Sequence, residues 1–198
     1  MEADWSVELA AADPVITVPW AASGAGKCRF VDLRRSSQLI DQIEEARTRP
    51  VLRSALLLLN GVSSYLWTAK CDVWTSNANQ GDEPFDPYEM DAEPGETAFG
   101  AGSYIDLLPH EVRGCFDAQE RWEQWEQWLR ALTERLRGTP ASAARVELVL
   151  RHAEVEGVQG FGVTWFVEGC GPTAPCAGQK WGEALELALS VMMRVRLV

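Results

Sequence analysis

Two kinds of hydrophobic spacing alternate along this chain. Short stretches in which every second residue is apolar predict β-strands, and longer stretches with apolar residues three or four positions apart predict helices. The order strand, strand, helix occurs three times. The three units are Val15–Trp20, Cys28–Leu33 and Ser36–Asn60; Tyr65–Trp74, Gly102–Leu108 and Asp117–Arg137; and Arg145–His152, Phe161–Glu168 and Ala177–Val195.

This order predicts a single α+β domain over residues 1–198. Strands that follow one another directly tend to pair as antiparallel hairpins, and a helix after each pair covers the apolar face that the pair exposes. We therefore expect a roughly six-stranded, mainly antiparallel sheet built from three strand-strand-helix units, with the helices on one face. A chain of 198 residues can bury one substantial core.

The alternation in Tyr65–Trp74 is regular and assigns each residue to one side of the sheet. It predicts that Trp67, Ala69 and Cys71 face the helices. In the predicted helix Asp117–Arg137, Trp125 belongs to the apolar stripe and Trp128 lies at its edge. Of the nine tryptophans, four fall outside the predicted core faces and are free to contact something else: Trp5, Trp20, Trp74 and Trp128.

An acidic connection of about residues 75–101 joins the two strands of the second unit. Between Gly81 and Thr97 it holds seven acidic residues and no Lys or Arg. A connection of this length is usually functional or disordered, and we expect Phe85, Tyr88 and Met90 to anchor it. A solvated loop explains the charges, and so does a docking site for a basic protein. The acidic candidates for such docking are Asp82, Glu83, Asp86, Glu89 and Asp91.

The formal net charge of -11 limits the classes of partner. Binding to a nucleic-acid backbone or an anionic membrane needs clustered Lys and Arg, so we expect neither. Residues Met1–Asp4 lack the basic region that opens a secretion signal peptide, and no long apolar run follows them, so we expect no such signal. The apolar run Ala55–Leu59 is too short to cross a membrane. With five cysteines and no export signal, the sequence predicts a cytoplasmic protein with reduced thiols.

Three segments superficially resemble reactive sites. Ser23–Cys28 is glycine-rich, but it lacks the first Gly of a phosphate-binding loop and precedes a predicted strand instead of a helix. Cys170 and Cys176 are spaced too widely for a zinc pair, and no second pair follows. A Cys115–His110 pair is conceivable, but nearness in sequence carries little information about a catalytic pair without geometry. The sequence therefore predicts no catalytic residue, no metal site and no cofactor.

The face of the sheet turned away from the helices is the best candidate for a site. Mixed charges on such a face are usually cross-strand pairs, but three aromatic residues among them favour a pocket or a docking surface. The residues that alternation places on this open face, and that we predict to bind, are Lys70, Asp72, Trp74, Tyr104, Asp106, Arg151, Phe166 and Glu168.

These patterns leave three functions open. The first interpretation is a non-catalytic cytoplasmic interaction module, such as an acidic adaptor or an inhibitor or immunity-like protein, whose partner is a protein of basic character. The second is a small-molecule-binding protein or enzyme with a pocket on the open face, where Lys70, Asp72, Asp106 and Arg151 supply the polar groups. The third is a structural homodimer formed through the last helix. A deep cleft in which Lys70 and Asp106 converge would favour the second interpretation.

Overall fold

The computed structural model describes residues 1–20, 30–81, 86–110 and 119–196. It is a mixed α+β structure with one six-stranded sheet. The strands are β1 (Glu2–Glu8), β2 (Ile16–Val18), β3 (Leu66–Asn77), β4 (Phe99–Pro109), β5 (Ala144–Val155) and β6 (Val158–Gly171). The α-helices are α1 (Glu44–Thr48), α2 (Pro50–Leu59), α3 (Pro87–Met90), α4 (Gln119–Arg137) and α5 (Ala174–Met192). Short 3-10 segments cover Ser37–Gln42, Ala78–Gln80 and Pro94–Glu96.

The strand order is β1-β5-β6-β4-β3. The pairs β3/β4, β4/β6 and β5/β6 are antiparallel. β1 and β2 instead run parallel to β5 and follow one another along its free edge, β1 beside Arg145–Arg151 and β2 beside Ala153–Val155. The prediction of a mainly antiparallel six-stranded sheet is confirmed.

A two-residue turn connects β5 and β6, the two strands of the third unit. Glu156 and Gly157, between β5 and β6, both have left-handed backbone angles, with φ of 51° and 84°. Two such residues form the turn whose twist matches that of the flanking strands. This turn is not part of the sequence prediction, which rests on two alternating strands that follow one another directly.

The first unit differs from its prediction. Phe30–Leu33 belongs to no strand, and Cys28 lies outside the described residues. The Asp32 carboxylate accepts hydrogen bonds from the backbone N–H and the guanidinium of Arg34, which makes a local turn in place of a strand ladder. The sheet gains β1 instead, an edge strand that the three-unit pattern does not contain.

The main core lies between the sheet and the longer helices. α5 packs on β6 and β4, α4 packs on β1 and β5, and α2 packs on α5 and β3. Trp125 is 2% exposed in this core, as predicted. Trp128 is equally buried, so the expectation that it is free to make other contacts is wrong: its indole N–H donates to the Val195 carbonyl at 2.8 Å.

A β-bulge in β3 changes which side chains face the core. The register with β4 shifts between Thr68 and Cys71. As a result Cys71 packs against the main core, whereas Trp67 and Ala69 join a second buried cluster with Leu108. The prediction of one uninterrupted alternation is wrong here, because an extra residue in one strand reverses the sides on which the following side chains lie.

No helix in the described ranges is both long enough and apolar enough to cross a membrane.

Candidate functional site

The outer face of the sheet, defined as the side opposite the main core, carries a polar row across five strands. Ile105 and Leu107 of β4 belong to the main core, so Asp106 between them projects from the outer face. Asp106 is paired with Thr164 of β6, and Arg151 of β5 is paired with Glu8 of β1. Lys70 of β3 lies next to Asp106 in this row, on the side away from Thr164. It belongs to the β-bulge, where two residues of β3 face the single residue Asp106 of β4.

Hydrogen bonds connect most of this row. The Arg151 guanidinium donates to a Glu8 oxygen from Nε at 3.0 Å and from Nη2 at 2.7 Å. Its Nη1 donates to the Thr164 hydroxyl at 3.1 Å. That hydroxyl in turn donates to Asp106 Oδ1 at 2.7 Å. The bonds hold Arg151 and Asp106 in fixed positions, so their charged groups are preorganised.

A pocket of about 280 Å³ opens over this row. Its floor contains Lys70, Asp106, Thr164 and Arg151, and Tyr104 and Phe166 add aromatic walls. The segment 14–17 and Trp20 form the opposite wall. The pocket is therefore enclosed by the sheet on one side and by the β2 region on the other.

Two contacts fix the β2 region over the sheet. The Trp20 indole N–H donates to the Ala69 carbonyl at 2.9 Å. Gly162 lies beneath Ile16, where an added Cβ would be only 3.0 Å from Ile16 Cδ1 and 2.9 Å from the Leu107 carbonyl oxygen. A side chain at position 162 would push Ile16 outward, so glycine is needed there for the pocket to have its wall.

The pKa values of three pocket groups are raised above their ordinary values. Burial raises the pKa of Asp106, which is 8% exposed, and the hydrogen bond from Thr164 offsets part of that shift. The hydrogen bond with Tyr104 raises the pKa of Lys70, and Asp106 adds to the effect. Burial also raises the pKa of Tyr104. Lys70 therefore carries its positive charge across the physiological range, while Asp106 holds a proton more tightly than an exposed aspartate.

Aromatic side chains continue from the pocket across the outer face. Phe166 lies 6.0 Å from Tyr104 and 6.4 Å from Trp74, measured between ring centroids. The Trp74 indole lies against Gly102, where a Cβ would come within 2.5 Å of its ring. The three rings form one half-buried aromatic patch beside the pocket.

The structure brings most of the predicted open-face residues together. Lys70, Tyr104, Asp106, Arg151 and Phe166 all line the pocket, and Trp74 contacts Phe166 beside it. Asp72 and Glu168 are paired with Tyr104 and Gly102 on the neighbouring strands, but neither lines the cavity.

Sequence reasoning missed Glu8 and the wall formed by residues 14–17. The omission of Glu8 follows from the omission of β1. Its signal was the weak alternation of Ala3, Trp5 and Val7. No local pattern indicates that the segment after β1 turns back over the sheet.

A second cavity of about 520 Å³ adjoins the first and shares Trp20 and Lys70 with it. Glu44, Glu45 and Cys71 also line it. Burial raises the pKa of Cys71 to about 12, so this thiol is protonated and a poor nucleophile near neutral pH. Across the part of the chain that the structure describes, no group of three or more His, Cys, Asp or Glu residues is arranged to hold a metal ion.

The acidic connection reaches the same outer face. Glu89 accepts a hydrogen bond from Arg145 of β5 at 3.0 Å, and Arg145 also contacts Glu147 at 3.3 Å. The backbone N–H of Tyr88 donates to the Asp86 carboxylate at 2.9 Å. Asp91, like Asp86, is exposed. Glu89 is thus tied to the sheet and is not a freely solvated charge.

The anchors of the acidic connection are fewer than predicted. Met90 is 1% exposed and packs with Ala143 and Cys170, as an anchor should. Tyr88 is 92% exposed, so its predicted anchoring role is wrong. Phe85, Asp82 and Glu83 lie outside the described residues. The single turn α3 carries the buried methionine on one side and exposed polar groups on the other.

Among the described residues, the candidates His110, His152 and Cys170 do not line the pocket. Burial lowers the pKa of His110, and Cys115 lies outside the described residues, as does Ser23–Cys28. Burial raises the pKa of Cys170 to about 11. His152 is exposed, and its ring stacks on Phe161 at 5.7 Å.

No protein-family model matches this chain, and neither a curated protein nor a solved structure matches it.

Proposed function

We propose that this protein binds a small molecule in the outer-face pocket. One observation carries this proposal: Lys70, Asp106 and Arg151, from three strands, converge in a single concave space of about 280 Å³. Ligand sites typically combine apolar walls with a few precisely placed polar groups. Here the walls include aromatic and aliphatic side chains, and hydrogen bonds through Glu8 and Thr164 hold Arg151 and Asp106 in place.

The charge of Asp106 supports the proposal. Placing a carboxylate where it is 8% exposed disfavours its ionised form and weakens the fold. An apolar residue at this position would not carry that cost. Ionisable groups with perturbed pKa values in a cleft are more frequent at functional sites than elsewhere, so a ligand that interacts with Asp106 gives a reason for its presence.

The proposal also depends on how the sheet is covered. We take the long helices α2, α4 and α5 to lie on the core side alone, so that none of them covers the pocket. We further propose that the protein works in the cytoplasm, where small polar metabolites are abundant enough to fill such a pocket.

A fragment screen by two-dimensional NMR on the full-length protein tests this function. The indole N–H of Trp20, which donates to Ala69, is a direct reporter beside the pocket. Fragments that bind should shift this signal and the backbone signals of residues 14–17, 104–106 and 164–166. Signals from α4, on the other side of the sheet, should stay unchanged. If no fragment shifts the pocket signals, or if all shifts map elsewhere, the proposed function is wrong.

The aromatic patch favours a second function, the non-catalytic interaction module. Trp74, Tyr104 and Phe166 lie side by side, and aromatic residues are enriched in the cores of protein interfaces. The Glu89–Arg145 contact places the acidic connection at the border of this face. A basic protein could contact the rings and the acids together, as an acidic adaptor or an inhibitor or immunity-like protein would require.

This second function has its own test. Partners captured from the native host would be identified by mass spectrometry and their association measured at two salt concentrations. Changing Asp82, Glu83, Asp86 and Glu89 to Asn or Gln should slow association and flatten its salt dependence, because attraction between opposite charges speeds encounter. Changing Trp74 to Ala should speed dissociation. An unaffected association rate would contradict a role for the acidic connection.

A homodimer through the last helix is a third candidate. Leu187 on α5 is 37% exposed and Leu58 on α2 is 44% exposed, so both helices show apolar groups to solvent. Sedimentation velocity over a range of concentrations would detect a dimer, and Leu187→Glu should abolish it.

A further inference from the structure

The pocket contains one positive and one negative group that are not paired with each other. Within the described ranges, neither Lys70 nor Asp106 has an oppositely charged group within salt-bridge distance. Arg151 differs, since Glu8 binds it through two hydrogen bonds. The floor of the pocket therefore offers an available cation and an available anion on neighbouring strands.

Both groups retain hydrogen-bonding capacity. The Asp106 carboxylate receives the Thr164 hydroxyl on Oδ1, which leaves Oδ2 able to accept from a ligand. The Lys70 ammonium has three N–H donors, and Tyr104 engages one of them. The remaining two can bind an anionic oxygen. Lys70 Nζ also lies 5.6 Å from the Trp20 ring centroid, at the rim where the two cavities meet.

A ligand that pairs both groups needs an anion and a cation close together. A simple anion would satisfy Lys70 and leave Asp106 unpaired, and a simple amine would do the reverse. Each unpaired charge in a partly desolvated pocket costs binding free energy. A free α-amino acid carries its ammonium and its carboxylate on the same carbon atom, so it presents a cation to Asp106 and an anion to Lys70 together.

The size and walls of the pocket limit the side chain of that amino acid. A volume of about 280 Å³ admits only a small ligand. The surfaces above the charged floor are apolar or aromatic, from Val15, Ile16, Trp20 and Phe166. A side chain as large as that of leucine fills such a space and removes its apolar surface from water.

We infer that the outer-face pocket binds a free α-amino acid with an apolar side chain, its ammonium at Asp106 and Thr164 and its carboxylate at Lys70 and Tyr104. This inference rests on the proposed small-molecule function and specifies the class of ligand.

Isothermal titration of the full-length protein with three matched probes tests the assignment. L-leucine carries both charged groups, 3-methylbutylamine lacks the carboxylate, and 4-methylpentanoate lacks the ammonium. L-leucine should bind at least about 10-fold more tightly than either analogue, since each lost charge-assisted hydrogen bond weakens binding by about that factor. L-isoleucine, L-methionine and L-phenylalanine extend the series to other apolar side chains.

Two substitutions test the contacts to the carboxylate and to the ammonium of the ligand one at a time. Lys70→Met should weaken L-leucine about 10-fold or more, whereas 3-methylbutylamine should bind as tightly as before or more tightly, because the unpaired cation is gone. Asp106→Asn should weaken L-leucine similarly, whereas 4-methylpentanoate should bind as tightly as before or more tightly. Lys180→Met is the matched control, because Lys180 contacts Ser142 and does not line the pocket. Thermal unfolding of each variant verifies that it is folded.

The possible outcomes distinguish this inference from the function on which it rests. If neutral fragments occupy the pocket while none of the apolar amino acids binds at up to about 10 mM, the ligand class is wrong and the pocket function stands. If the single-charge analogues bind as tightly as L-leucine, the two-charge recognition is wrong. If neither fragments nor amino acids reach the pocket, both the inference and the proposed function are wrong.

Discussion

The hydroxyl oxygen of Tyr65 lies 2.6 Å from the carbonyl oxygen of Val195. It is also 2.7 Å from the carbonyl oxygen of Met192. Trp128 of α4 donates to the same Val195 carbonyl. The residue before β3, the helix α4 and the end of α5 thus meet at one point. Burial raises the pKa of Tyr65 to about 12, so its hydroxyl keeps the proton that it donates.

Tyr65→Phe should lower the free energy of unfolding by about 1–3 kcal/mol, because buried carbonyl oxygens lose a hydrogen-bond donor. Urea denaturation measures the change. Tyr88→Phe is the matched control, since Tyr88 is 92% exposed and its loss should change stability by less than about 0.5 kcal/mol. Equal effects of the two substitutions would show that the Tyr65 contacts do not stabilise the fold.

Asp106→Asn should alter the pH dependence of stability. Burial raises the pKa of Asp106 above its ordinary value of 3.8, so the folded state binds the proton more tightly than the unfolded state. As the pH rises from 3.8 through the raised pKa, the unfolded state loses its proton first, and the wild-type free energy of unfolding falls.

Asparagine does not titrate, and the variant escapes this loss. The free energy of unfolding of the variant minus that of the wild type should therefore increase between pH 3.8 and pH 7. Urea denaturation at several pH values measures this difference. A difference that is constant, or that decreases with pH, would contradict the assigned direction of the Asp106 pKa.

Trp125→Ala should lower the free energy of unfolding by about 3–5 kcal/mol, the usual loss for a buried large aromatic residue. Trp125 is 2% exposed, and its ring centroid lies 5.5 Å from that of Trp128 in an edge-to-face arrangement. Chemical denaturation measures the change. Glu123→Ala, an exposed position in the same helix, serves as control. A loss below about 1 kcal/mol for Trp125→Ala would mean that this side of α4 is not closely packed.

Glu89→Gln should lower the free energy of unfolding by less than about 1 kcal/mol, because the Glu89 side chain is 59% exposed and solvent weakens its ion pair with Arg145. The effect should nearly vanish in an Arg145→Met background. A double-mutant cycle by thermal or urea denaturation measures the coupling between the two residues. A coupling well above 1 kcal/mol would show that α3 depends on this contact for its position.

The sequence alone was sufficient for the elements whose signals are local. The helical spacing of apolar residues predicts α4 and α5 close to their observed bounds. The alternation in the third unit predicts β5 and β6, and their direct succession predicts that they pair as a hairpin. Alternation also assigned Lys70, Tyr104, Asp106, Arg151 and Phe166 to one face, because side chains on successive residues of a strand point to opposite sides.

Features that depend on contacts distant in sequence required the tertiary structure. Trp128 is buried because Tyr65 and Val195 meet it, and its position at the edge of a helical stripe does not reveal that contact. Likewise, the bulge that sends Trp67 and Cys71 to opposite sides of the sheet is set by the register with β4, which no pattern within β3 specifies.

The pocket combines features that follow from local sequence patterns with features that follow from contacts distant in sequence. Its floor follows from alternation within each strand, a property of neighbouring residues. Its wall exists because β2 pairs with Ala153–Val155, more than a hundred residues further along the chain, and because Gly162 leaves room for Ile16. The sequence thus indicated which polar side chains of the pocket floor share the outer face. Only the long-range pairing of β2 with β5 turned that face into an enclosed space, because hydrogen bonds between distant segments depend on the assembled sheet and not on local periodicity.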